Sequence, residues 1–151
     1  MFAKVKYLLA IGLLFLIPAC ATGQATGASS VDIDATVEAE EIISEGKVLY
    51  LANCATCHGV NLQGNPNWRS GTDKDGQSLP PPLNGTGHTW HHSPKVLHEI
   101  LKYGLKIYDE NYEGKMVGNE NLTNKEIYSL LEYIQSVWPE ELRINYTKNY
   151  K

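Results

Sequence analysis

Cysteine, basic residues and long apolar runs are all scarce in this sequence, and each shortage closes off a class of protein. Three cysteines occur in 151 residues. Two of them, Cys54 and Cys57, stand together, while Cys20 lies far upstream. A structural zinc site would need two more Cys or His ligands at comparable spacing, and the only other cysteine is the distant Cys20. A thioredoxin-like pair would need a strand–helix–strand surround, which is absent here. Lysine and arginine number 13 against 17 acidic residues, a net charge of −4. A chain this acidic is not a nucleic-acid binder; it suits a partner with a basic docking face. The apolar stretch from Tyr7 to Ile17 is too short for a spanning helix.

What is present is Cys54-Ala-Thr-Cys57-His58-Gly59. Two cysteines separated by two residues and followed at once by histidine form the c-type haem attachment signal. Each thiol adds across one haem vinyl group, and one turn of chain spans the two vinyls. His58 is then delivered to the iron as its proximal ligand. One covalent haem c is therefore expected.

The N-terminus reads as an export signal over residues 1–19: Lys4 and Lys6, the apolar Tyr7–Ile17, then Pro18-Ala19-Cys20. Ile17-Pro18-Ala19-Cys20 resembles a bacterial lipobox, with cleavage just before Cys20 and lipid on its thiol; the alternative is an ordinary signal peptide ending near a cysteine. Residues 20–38 are expected to form a lipid-anchored flexible linker, of the Gly/Ser type from Ala21 to Ser30. The acidic run Asp32, Asp34, Glu38, Glu40, Glu41 and Glu45 reads as a solvated face with helix-start acids.

The folded domain is expected over residues 39–145, with 146–151 as a C-terminal tail. Ile42, Ile43, Gly46, Leu49, Tyr50 and Asn53 recur at helical spacing, and Gly46 within them suggests close approach of a second helix. Ser93 as N-cap, Pro94 at the first helical position, Val96, Leu97, Ile100, Leu101 and a stop at Gly104 mark a middle helix. Thr123-Asn-Lys-Glu126 is a capping box. Ile127, Leu130, Leu131, Ile134 and Trp138 then form one apolar stripe, and Pro139 ends it. The fold class is all-α: three main helices around one haem, with long loops. Helices this short bury little among themselves, so the haem is a large part of the core.

Residues 39–145 resemble a class I cytochrome c. The resemblance rests on Gly46-Lys-Val-Leu-Tyr50 ahead of the Cys54–Gly59 motif, and on Leu122–Ile127 running through Tyr133 to Trp138-Pro139. It implies that the first and last helices cross nearly at right angles, with Gly46, Tyr50 and Tyr133 at the crossing. It also implies that Pro81, in Pro81-Pro82-Leu83, accepts a hydrogen bond from the proximal histidine. Met116 is the only methionine besides Met1, and its loop, Tyr112–Gly118, is where that family places the sixth iron ligand. The family often has Met-Pro where this chain has Met116-Val117, which implies a less rigid loop. His88, His91, His92 and His98 are the other candidates, although His98 reads as a polar-face residue of the middle helix.

The segment Gly87-His88-Thr-Trp90-His91-His92 admits two readings. Its histidines and the Trp90 indole either brace the haem crevice by hydrogen bonds to a propionate, or form a surface copper or zinc site. Arg69 is a further propionate candidate. The functional expectation is an electron carrier between redox partner proteins at a bacterial membrane, outside the cytoplasm, and not an enzyme. Its rivals are a haem enzyme or a gas or peroxide sensor with a displaceable Met116, and a copper-handling protein using His88, His91 and His92.

Overall fold

The computed structural model describes residues 30–150, with side chains from Ala35 onward. The expected signal segment, the lipidation of Cys20 and the tether through residue 29 lie outside the described residues. α1 spans Ser30–Asn53, α2 Ala55–His58, α3 Pro94–Tyr103, α4 Asn124–Ser136 and α5 Glu140–Tyr150. Single 3-10 turns occur at Thr89–His91 and Leu105–Ile107. Among the described residues there is no β-strand, only an isolated antiparallel bridge between Thr72 and Ser78. No described helix is long and apolar enough to cross a membrane.

The first helix begins at Ser30, well upstream of the expected start near Ala39. No glycine or proline interrupts residues 30–45. A flexible linker through residue 38 therefore gives way to helix at Ser30. The C-terminal half of α1 packs on α4. Gly46 sits at the contact: a Cβ there would lie 2.8 Å from Tyr133 Cβ and closer still to the Ser129 carbonyl. Beside it the Ser129 hydroxyl donates to Glu45 at 2.8 Å, and the rings of Tyr50 and Tyr133 meet at 5.5 Å and 53°.

The stripe on α4 is the centre of the core. Ile127 and Leu130 are fully buried, with Leu131, Ile134 and Trp138 close behind, and Leu97 of α3 and Tyr50 of α1 join them. Both expected helix starts form. Thr123 Oγ1 accepts from the Glu126 N–H at 3.2 Å while the Glu126 carboxylate accepts from the Thr123 N–H at 2.8 Å. Ser93 accepts from the Val96 N–H at 3.3 Å.

Pro139 ends α4 but also opens α5, so residues 146–150 are not a tail: the chain is helical to Tyr150. Proline suits a first turn, where its missing N–H would have had no partner. Tyr146 is buried, standing edge-on to Trp138 at 5.1 Å and 85°. Its hydroxyl donates to the His92 carbonyl at 3.0 Å, and that of Tyr150 to the His91 carbonyl at 3.0 Å.

Candidate cofactor site

The hydrogen-bond ladder of α1 runs on through Cys54, whose N–H donates to Tyr50 O at 2.8 Å. The chain then turns into α2, where Cys57 and His58 both donate to the Cys54 carbonyl, at 3.1 and 2.9 Å. The two thiols are thus one short helical turn apart, Cys54 half-buried and Cys57 exposed, both free. Burial, and secondarily Cys57, pushes the Cys54 thiol up to about 11. Tyr50, fully buried, donates its hydroxyl to the Gly59 carbonyl at 2.6 Å. That bond ties the end of the motif back to α1.

His58 Nδ1 donates to the Pro81 carbonyl at 2.8 Å. Burial holds this imidazole below its ordinary pKa, although the bond to Pro81 pulls the other way. The ring is therefore neutral at pH 7, and with Nδ1 carrying the proton the lone pair lies on Nε2. This is the tautomer a histidine needs to ligate a metal. The carbonyl itself is held by a tight corner. Gly64, at φ 59°, packs so closely that a Cβ on it would lie 2.7 Å from the Pro81 oxygen. Leu62 adopts φ 56°, the one positive value outside glycine among the described residues, and its carbonyl accepts from the Leu83 N–H at 2.8 Å.

Met116, half-buried, lies at the neck of a loop. Leu105 N–H donates to the Met116 carbonyl at 3.0 Å, and Asn119 N–H to Leu101 O at 2.9 Å. Gly104 (φ 80°) and Gly118 (φ 75°) let the two sides of the neck touch; a Cβ on Gly118 would sit 2.8 Å from the Tyr103 nitrogen. Tyr112 Oη accepts from the Met116 N–H at 3.1 Å. Next door, Lys115 forms ion pairs with Asp73 and, at 3.4 Å, with Asp75. The Lys115 ammonium, with the N–H groups of Gln77 and Asp75, brings the Asp73 carboxyl down to about 2. Sequence reasoning missed this tie, since its partners are 42 residues apart.

The histidine-rich loop does not gather its histidines. His88 lies edge-on to His92 at 5.5 Å, and Trp68 stacks on His88 at 5.4 Å. His91 instead stacks on Trp90 at 3.6 Å. No three His, Cys, Asp or Glu side chains among the described residues are grouped to hold a metal ion. The Trp90 N–H donates to Gly87 O at 3.2 Å, within its own loop. The Arg69 guanidinium lies 4.5 Å from the Trp68 ring centroid. His98 bonds Asn124 across α3 and α4 at 3.1 Å.

The residues present fit a haem c. Two free thiols one turn apart and a neutral imidazole with Nε2 uncommitted are its attachment chemistry. Large apolar side chains are also left in solvent beside them, Val60 at 61% exposed and Val117, next to Met116, at 72%.

A profile of the cytochrome c family matches residues 43–138, from α1 to the Trp138 corner. Cytochrome c-555 of Prosthecochloris aestuarii is 25% identical over 99 residues, which cover 61% of this chain and 84% of that protein. No solved structure matches the chain.

Proposed function

The chain belongs to the cytochrome c family, and from that premise we propose that it carries single electrons through a haem c held by Cys54, Cys57 and His58, with Met116 as sixth ligand. The observation that carries the reading is the His58–Pro81 hydrogen bond at 2.8 Å inside the Cys-x-x-Cys-His turn. When bound, haem c supplies an iron that gains and loses one electron at a time. The protein's part is to hold that iron in one environment through both states. Cys54 and Cys57 fix the porphyrin to the end of α1. Pro81 fixes the ring plane and tautomer of His58 and raises its basicity. The neck at Gly104 and Gly118 fixes the backbone of Met116. His58 and Met116 would hold the iron between them and leave it no open site for substrate, which favours a carrier over an enzyme.

We place the carrier outside the bacterial cytoplasm, on the periplasmic side, anchored by lipid on Cys20 to a membrane that also holds its electron donor and acceptor. The net charge of −4 favours partners that dock through basic faces. The colour of the purified protein should survive denaturing electrophoresis, and Cys54→Ser with Cys57→Ser should remove it. The oxidised protein should show the weak red charge-transfer band of a methionine-ligated haem, lost in Met116→Ala. Rapid stoichiometric carbon monoxide binding by the ferrous protein at neutral pH would instead mark a haem enzyme or sensor. Mass spectrometry of the membrane fraction should find a mature N-terminus at a lipid-modified Cys20; a soluble protein starting later would remove the anchor.

A further inference from the structure

Residues 80–82 are three consecutive prolines, and none has a peptide N–H. The segment that offers its carbonyl to His58 can therefore be held only through its own acceptors and its two ends. At the first end the Asn65 N–H donates to Pro80 O at 2.9 Å. At the other, Leu83 is the first residue with a donor, and its N–H goes to Leu62 O at 2.8 Å. The Leu83 carbonyl takes the indole N–H of Trp138 at 2.8 Å, a bond linking residues 55 positions apart. Trp138 is only 4% exposed. It lies two residues past the end of α4, and Tyr146 of α5 backs its ring edge-on at 5.1 Å. Gly64 packs so closely on Pro81 and Pro82 that the segment has no room to move toward it.

We propose that Trp138 is a positioning residue for the proximal histidine. Its N–H fixes the Leu83 carbonyl, which sets where the Pro81 carbonyl stands and so how strongly His58 Nδ1–H is held. The inference rests on His58 being an iron ligand. It gives the α4–α5 corner a role in tuning the cofactor, beyond closing the core.

The test uses the haem-loaded full chain and follows the His58 Nδ1–H proton by NMR in the reduced state, together with the midpoint potential. Trp138→Phe keeps an aromatic ring and removes the donor. The His58 Nδ1–H resonance should shift and exchange with solvent about tenfold faster, the factor one hydrogen bond of ordinary net strength is worth. The potential should rise, because a less basic imidazole stabilises the ferric state less. Tyr146→Phe removes a neighbouring buried hydroxyl donor and should leave both readouts at wild-type values. If Trp138→Phe fails to mature, benzothienylalanine at 138 removes only the N–H, while 5-fluorotryptophan retains it. The first should behave as Phe was expected to, and the second as wild type. An unchanged His58 proton in the donor-free protein overturns the positioning role while leaving His58 as ligand. Equal shifts in Tyr146→Phe overturn it too, as a general packing effect. Absence of any His58 signal shifted by the porphyrin ring current in the reduced wild type removes the premise itself.

Discussion

Gly46→Ala separates two physical effects by sign. Taken alone, the change favours helix by about 1 kcal/mol, since alanine loses less backbone entropy than glycine. Gly46 is not in open helix, however. Its new Cβ would meet Tyr133 Cβ at 2.8 Å and collide with the Ser129 carbonyl. A flexible side chain would yield, but this obstacle is the backbone of α4. Relief requires α1 and α4 to separate, loosening Tyr50, Ile127 and Leu130, all fully buried. Overpacking costs about 1–3 kcal/mol, and a backbone obstacle places this site at the upper end, about 3. Net of the propensity gain, the variant should lose about 2 kcal/mol, and at about 4 °C per kcal/mol its Tm should fall by about 8 °C. Thermal melts followed by far-UV circular dichroism on the haem-loaded protein measure this directly. A melting point equal to or above wild type would show that the helices are not in contact there, and the account of the core would fail.

Tyr50→Phe should cost about 1 kcal/mol by leaving the Gly59 carbonyl without its donor, read as a lower denaturant midpoint with an unchanged slope. Tyr146→Ala should cost about 3 kcal/mol, the usual range for deleting a buried aromatic side chain; an unchanged melt would mean that α5 does not support Trp138. The Asp73 carboxyl should titrate at about 2, against an ordinary value of 3.8. Because the folded value is depressed, its contribution to stability is full above the ordinary value and is lost as pH falls through about 2. In Lys115→Met the midpoint should return toward 3.8 and cyanide should bind the ferric protein faster as the Met116 loop loosens; an unmoved midpoint by NMR would refute the ion pair.

The parts legible in the sequence were those whose cause is local. Thr123 and Glu126 cap each other across three residues, Ser93 and Pro94 start α3 within one turn, and the stripe from Ile127 to Trp138 repeats at helical spacing. The Cys54–His58 motif is likewise contained in one turn. What escaped was set by distant partners. Tyr146 and Tyr150 look like surface tyrosines until His91 and His92, more than fifty positions earlier, turn out to accept their hydroxyls. Pro139 was read as a terminator, and proline serves equally as a first-turn residue. The first helix starts earlier than the expected domain start at residue 39, because an unbroken stretch without glycine or proline lets it extend back to Ser30.

The neck that pairs Leu105 with Met116 and lets Gly104 lie against Val117 has an evolutionary corollary. The backbone position of Met116 is fixed where the loop closes and by the Tyr112 hydroxyl that accepts its N–H. Apart from Tyr112 and Tyr108, which bond Met116 and Glu99, residues 106–114 form an excursion whose length enters mainly through closure entropy, where a doubling costs about 0.6 kcal/mol. Insertions, deletions or grafted epitopes in that excursion should leave the sulfur's anchorage in place, while a single side chain added at either neck glycine should not. The loop is a cassette with a fixed socket, free to diversify its surface while Met116 stays put.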